Sequence, residues 1–275
     1  MSHDCPATRM FIQMRDSFRE RIAKIKEQPK KDCVFKNLKD TPFCPVNYFK
    51  GKIAEKTLKK VEKDKDLSGD LRRGVVKDLA IMFADIRGFT TRTAEMPPDR
   101  IVTLLDLFVP EMFNIIINRH GGTVDKLLGD GIMAIYGHPY QTGQEVVKAI
   151  HSAIDMQQAA AALEQVLTIA GYDPVEIGVG INYGKVLICE VGDDRYREST
   201  VIGAPVNLAA KMEDVAKASE IVLPKPSLAA VEQIRPKMIP YFEERGMKSG
   251  VSAMSFNWVH YIQNEPAEFK EWKIE

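Results

Sequence analysis

Two short apolar runs, each ending in an aspartate with a glycine within three residues, constrain this chain most. The first is Phe83-Ala84-Asp85-Ile86-Arg87-Gly88-Phe89-Thr90 and the second is Lys126-Leu127-Leu128-Gly129-Asp130-Gly131. Apolar runs of that length read as buried strands. A carboxylate where a buried strand meets a loop is poorly solvated unless positive charge sits beside it. Two such carboxylates invite a divalent cation, and the neighbouring glycines leave room for a phosphorylated ligand.

The surrounding pattern is regular from Val75 onward. Residues 78–85 read as a strand. Pro97-Pro98-Asp99 opens a long helix through Leu104, Leu105, Phe108, Phe113 and Ile116 that stops before Gly121-Gly122. Residues 123–128 and 132–136 read as strands around Gly129-Asp130-Gly131, a hairpin signal. An alanine-rich helix covers 144–162. Residues 175–181 and 185–191 read as a second hairpin around Asn182-Tyr183-Gly184. A helix over 206–216, a short strand over 221–223, a helix over 226–233 and short strands from Met238 complete the chain. The order strand-helix-strand-strand-helix-strand predicts an α+β chain with a ferredoxin-like βαββαβ core and extensions.

Residues 1–74 differ. Phe11, Met14, Phe18, Ile22 and Ile25 have helical spacing over 10–27, an amphipathic helix ended by Pro29. Residues 30–50 read as irregular but packed, and 52–65 as a lysine-rich helix with a solvated face. The division is therefore an N-terminal extension (1–74), a main domain (75–265) and a tail (266–275).

Composition narrows the function. Lys+Arg and Asp+Glu both total 38, so the net charge is zero. That speaks against nucleic-acid or anionic-membrane binding driven by overall charge. The most apolar region, 101–117, is broken by Asp106, Pro110, Glu111 and Asn114. No membrane span is expected. The first residues lack a basic segment followed by an apolar one, so a cytoplasmic location is expected. Cys5, Cys33, Cys44 and Cys189 form no metal-type spacing and read as reduced thiols, with a Cys33–Cys44 contact the one conceivable pairing.

Four motifs stand in order: FADIRGFT, KLLGDGIMAIYGHP, GVGINYGKV and STVIGAPVNLAAKM. Through them residues 75 to about 262 resemble the catalytic domain of class III nucleotidyl cyclases, of the bacterial adenylate cyclase type. The resemblance implies a lyase that converts ATP to 3′,5′-cyclic AMP and pyrophosphate in a signalling role. It implies two Mg²⁺ or Mn²⁺ ions per site, held by Asp85, Asp130 and the backbone carbonyl at Ile86. The bland alternative is that each aspartate caps a turn or helix.

The amides of Arg87 to Thr91, Thr90 among them, would cradle phosphates, while Phe89 is as readily core as ribose pocket. Lys126 and Thr200 stand where the family reads the base, and this pair favours adenine. Their alternatives are a salt bridge from Lys126 to Asp125 or another acid on the hairpin, and a plain strand threonine. Asn207 and Lys211, four apart on one helix face, correspond to the asparagine that orients the ribose and the arginine that stabilises phosphate charge. Lysine keeps the charge and loses the bidentate fork. Lys185 and Lys248 match phosphate contacts or are solvated lysines.

The family places the base-reading and metal-binding sets of one site on two subunits. This chain carries both sets, which implies a homodimer with shared sites. The alternatives are a cyclase of the same fold that takes another base, such as a pyrimidine cyclase of bacterial antiviral signalling, or a catalytically weak regulatory module. A cyclic-di-GMP synthase is disfavoured, because its Gly-Gly-acidic-acidic-Phe hairpin is absent.

Overall fold

The computed structural model describes residues 48–64, 67, 74–169, 171–192, 197–248 and 250–266. The expected helix over 10–27, three of the four cysteines and residues 267–275 lie outside the described residues. Cys189 is a free thiol.

Strand β1, Val75–Ile86, runs through the centre of an eight-stranded sheet. Its residues alternate between two apolar layers, as a strand buried on both faces must. Ala80, Met82, Ala84 and Ile86 point into one layer, and Leu79 and Ile81 into the other. β2 (Thr123–Leu128) and β3 (Gly131–Tyr136) form the expected hairpin. With β4 (Ile177–Gly192), the order β2-β3-β1-β4 is the ferredoxin-like core predicted from the chain. Beyond β4 the sheet continues through β6 (Glu220–Pro224), β8 (Val251–Phe256) and β7 (Phe242–Lys248). β5 (Arg197–Ile202) pairs with the outer end of β4.

Helices α3 (Pro98–Asn114) and α4 (Glu145–Ile169) cover the first layer, α3 continuing as one wide π turn over Ile115–Arg119. The stretch Pro98–Arg119 has 22 residues and is long and apolar enough to cross a membrane by length and composition. In the fold it is a core helix, with Leu104, Phe108, Met112, Ile115 and Ile116 buried against the sheet. Short helices α6 (Leu228–Ile234), before β7, and α7 (Trp258–Asn264), after β8, complete the described part.

The second layer lies under α5 (Ala204–Val215) and under residues 48–64 and 67, which include α1 (Glu55–Val61). Phe49 and Val61 are fully buried there. Part of the stretch read as an N-terminal extension is therefore a cover on the sheet, fastened by Val124 N–H to the Lys52 carbonyl at 2.9 Å. Gly180 lets α5 approach: a Cβ there would stand 2.0 Å from the Glu213 nitrogen and 2.5 Å from the Ala209 carbonyl oxygen.

One expected element is corrected. The hairpin around Asn182-Tyr183-Gly184 does not exist, because β4 is one continuous strand, Ile177–Gly192. It pairs with every residue of β1, from Val75↔Ile188 to Ile86↔Ile177. Gly184 has no left-handed φ. A Cβ there would stand 2.9 Å from Pro205 Cγ, so the glycine admits the start of α5. Asn182 is 4% exposed and does not turn the chain. Its amide donates to the Pro205 carbonyl at 3.0 Å, and its oxygen accepts from Ser227 Oγ at 2.7 Å.

Candidate active site

Asp85 is the penultimate residue of β1, and Asp130 sits in the two-residue tip between β2 and β3. The register brings them together, since Ala84 pairs with Ile132 one step inside the tip. A Cβ on Gly131 would stand 3.2 Å from Asp85 Oδ1. Gly129 holds φ at 69°, a left-handed turn that favours glycine. Asp130 Oδ2 accepts from the Ile86 N–H at 3.2 Å. Burial, then the hydrogen bond and negative charge of Asp85, push the Asp130 carboxyl up to about 7. Two hard oxygen donors sharing unrelieved negative charge fit a Mg²⁺ or Mn²⁺ ion. Among the described residues no group of three or more His, Cys, Asp or Glu gathers. A cation here would complete its shell from backbone, substrate or water. The Ile86 side chain belongs to the core.

Arg87 ties this end to α5. Its guanidinium pairs with Glu213 and donates to the Ala216 carbonyl at 3.4 Å. It lies over Gly178, where a Cβ would meet it at 2.6 Å. Gly88, φ 69°, then turns the chain into the short α2, Phe89–Thr93. Phe89 is half-buried and packs against the first layer, and Thr90 is exposed.

Asn207 and Lys211 are both exposed on α5, whose Ala209 and Met212 face inward. That helix covers the face of the sheet to which Leu79 and Ile81 belong. Asp85 shares their side of β1 by strand alternation.

The residues expected to read the base lie elsewhere. A bulge at Asp125 shifts the register so that Lys126 pairs with Met133, which pairs in turn with Phe83. Lys126 thus lies on the same face as Asp85, two strand spacings away, about 10 Å across the sheet. Lys126 Nζ pairs with Glu198 and stands 3.9 Å from Asp125 Oδ2, so the main partner is Glu198 rather than Asp125. Glu198 and Thr200 are two apart on β5 and project to one side of it. Tyr48 and Lys52 brace the bulge: Tyr48 Oη donates to Asp125 Oδ1 at 3.1 Å, and Lys52 Nζ to the Asp125 carbonyl at 3.0 Å. Burial, then the Asp125 charge, push the Tyr48 phenol far up, so it stays a donor.

Lys185 lies apart from these clusters, donating from an exposed position to Asp78 at 2.8 Å. Lys248 ends β7, and its side chain lies outside the described residues. Sequence reasoning missed Glu198, Tyr48 and Lys52. Only Glu198 had a signal, its i, i+2 relation to Thr200.

These features define a nucleotide-cyclase architecture. The family described as adenylate and guanylate cyclase catalytic domain matches residues 73–249, more than half of the chain. The chain belongs to that family.

It is 35% identical over 145 residues to the terminal-differentiation-specific adenylate cyclase of Dictyostelium discoideum, covering 52% of this chain and 6% of that protein. It is 34% identical over 143 residues to an adenylate cyclase of Anabaena cylindrica, covering 50% of this chain and 27% of that one. The matched stretch is thus a small part of these curated relatives. Among solved structures, the guanylyl cyclase Cya2 aligns with TM-score 0.59 and 27% identity over 66% of this chain and 93% of its own. The adenylyl cyclase CyaB from P. aeruginosa aligns with TM-score 0.59 and 28% identity over 66% and 95%.

Proposed function

We propose that this chain is an adenylate cyclase, forming 3′,5′-cyclic AMP and pyrophosphate from ATP at sites shared between two copies. The single observation that carries the reading is the juxtaposition of Asp85 and Asp130 at one sheet end, with the Asp130 carboxyl pushed up to about 7. Divalent cations bound by this pair would lower the pKa of the 3′-hydroxyl and neutralise the phosphates. The chain's own residues supply the rest. Asp130, fixed by the Ile86 amide, holds its carboxylate at the tip. The turn from Arg87 into α2 offers amides to the phosphates. Asn207 orients the ribose, and Lys211 offsets charge on the α-phosphate as the 3′-oxygen attacks and pyrophosphate departs. Lys126 donates to adenine N1, with Thr200 at the exocyclic position.

Homodimerisation is supported by a row of exposed apolar residues. Val76, Leu187 and Ile202 are direct neighbours across β1, β4 and β5, and each is at least 38% exposed. Such a row is suited to burial against a second copy.

One observation favours a second reading, GTP as substrate. The Glu198 carboxylate beside Lys126 could accept from the guanine N1–H and amino group. Incubating the protein with Mn²⁺ or Mg²⁺ and each of ATP, GTP, CTP and UTP, with products weighed by mass spectrometry, decides between them. Cyclic AMP as the main product supports the proposal. Cyclic GMP, CMP or UMP as the main product overturns the base assignment, and no product with nucleotide bound supports a regulatory module.

A further inference from the structure

The sheet end remote from Asp130 carries a second polar cleft that cyclase chemistry leaves unused. It has a volume of about 340 Å³ and lies between α1, the π turn and the β3–α4 connection. On the scale of water's share of liquid volume, that is room for on the order of ten waters.

The cleft's charge is one-sided. Lys56 and Lys60 line it from α1, Arg119 from the π turn and Lys148 from the start of α4. Among the described residues no aspartate or glutamate lines it. Arg119 is partly matched, at 2.8 Å from Glu111 and 3.9 Å from Asp155. Lys56, Lys60 and Lys148 have no ion pair to any described carboxylate. Glu145, at the start of α4, is 2% exposed and accepts the amides of Thr142 and Gly143, so its carboxylate is committed to the helix cap.

Two buried imidazoles add an independent observation. His138 and His120 also line the cleft and are 3% and 6% exposed. Among the described residues neither ring nitrogen of His138 has a hydrogen-bond partner, nor has Nδ1 of His120, whose Nε2 meets Asp155 at 3.2 Å. Buried polar atoms are normally satisfied, and an orphaned pair calls for a ligand or water. The His138 ring is held against Phe49, centroids 4.9 Å apart. Burial first, then Lys77 and Lys52, push its pKa down to about 3, so it is neutral and offers one donor and one acceptor.

We propose that this cleft binds a diphosphate group, either free pyrophosphate or the diphosphate of a nucleotide. Three ammonium groups without a counter-ion among the described residues match a compact multivalent anion. The orphaned histidine nitrogens match its oxygens and a bound water or protonated oxygen. Occupancy would join α1, from the segment preceding the family match, to α4 in the core. The site is independent of the cyclase reading.

The test uses the full chain in EDTA, titrated with inorganic pyrophosphate and in parallel with ADP. Heat is followed by calorimetry and the His138 imidazole by ¹⁵N NMR. Saturable binding with a His138 shift is expected. Lys60→Gln with Lys148→Gln should weaken it at least about tenfold, while Asp85→Asn leaves it unchanged. Response to pyrophosphate alone identifies the free anion, and response to both identifies the diphosphate of either source. Unchanged circular dichroism separates lost binding from lost fold. No saturable binding at millimolar ligand overturns the proposal. So does binding that survives the double lysine variant, or that is lost in Asp85→Asn.

Discussion

The acid end and the base end of the candidate site share one face of one sheet and balance charge in opposite ways. At the acid end, Asp85 and Asp130 crowd together with no ion pair among the described residues, and burial holds a proton on Asp130 up to about pH 7. At the base end, Lys126 is matched by Glu198, and the bulge beneath it is braced by Tyr48 and Lys52. The first arrangement is costly until a cation arrives. The second has its lysine ion-paired without a ligand. Strain of charge is thus concentrated where chemistry is proposed, and order where recognition is proposed.

The largest effect should come from removing an acid. Asp85→Asn or Asp130→Asn should lower cyclase turnover by about 10³-fold, measured as cyclic nucleotide formed with Mn²⁺. The same change should raise the melting temperature of the cation-free chain at pH 8, because like-charge repulsion is gone. A base-end variant should not show that opposition of activity and stability. If both acid variants melt lower than the native chain, the contrast between the ends is wrong. Mixing Asp85→Ala with Lys126→Ala protein should restore part of the activity if the two ends meet across a dimer.

Next in size is the base end. Lys126→Ala should reduce kcat/KM for ATP by about 10–100-fold, the range for losing a donor at a substrate hydrogen bond. Glu198→Gln keeps the shape and removes the charge that holds Lys126. Its readout is the ratio of kcat/KM for ATP to that for GTP. A rise in that ratio supports Glu198 as the guanine acceptor, and a fall supports it as the group that positions Lys126 for adenine.

Legibility in the sequence followed the same division. The acid end could be read because its residues are local: an apolar run, an aspartate and a glycine occur twice, and the turn chemistry of Gly129 is short-range. The ferredoxin-like core followed from the order of elements. The base end was only half legible. Lys126 and Thr200 came from the family resemblance, whereas Glu198, Tyr48 and Lys52 act through contacts 72 to 77 residues apart in the chain. The false hairpin in β4 has a related cause. Asn-Tyr-Gly has turn composition, but Asn182 is bound by Ser227 and Pro205, and Gly184 is small to admit α5, so tertiary contacts decide both. Covering of the second layer by residues 48–64 and 67 was missed because that stretch has lysines on its exposed side and buries only a few large residues, Phe49, Ile53, Val61 and Leu67.

A third effect concerns pH. Asp130 is raised from 3.8 to about 7, so between these values the native chain keeps a proton that the unfolded chain has lost. Stability of the cation-free protein should therefore fall as pH rises through this window and flatten above it. Cation binding has the opposite slope, since the proton must leave first. Mn²⁺ affinity should climb by about tenfold per pH unit below 7 and level off above 8. Calorimetric titration at pH 5.5, 6.5 and 8 checks this, and in Asp130→Asn the slope should vanish. Lys126 is not part of the acidic pair, so Lys126→Ala should leave the Mn²⁺ profile unchanged.

The smallest effect tests the helix that spans the comparison. Lys211 projects from α5, which Arg87 anchors to the acid end through Glu213. It carries charge without the planar fork that grips two phosphate oxygens. Lys211→Arg should raise kcat by about three- to tenfold with little change in KM, because the gain is made on charge that develops in the transition state. A change confined to KM would mean that Lys211 binds ground-state phosphate. No change in either would mean that it is a solvated helix residue, and that the acid end completes its charge balance from the partner copy by another side chain. Lys211→Gln separates these outcomes, since it keeps length and polarity and removes the charge. It should lower kcat if the charge is used and leave it intact if only the helix surface is affected.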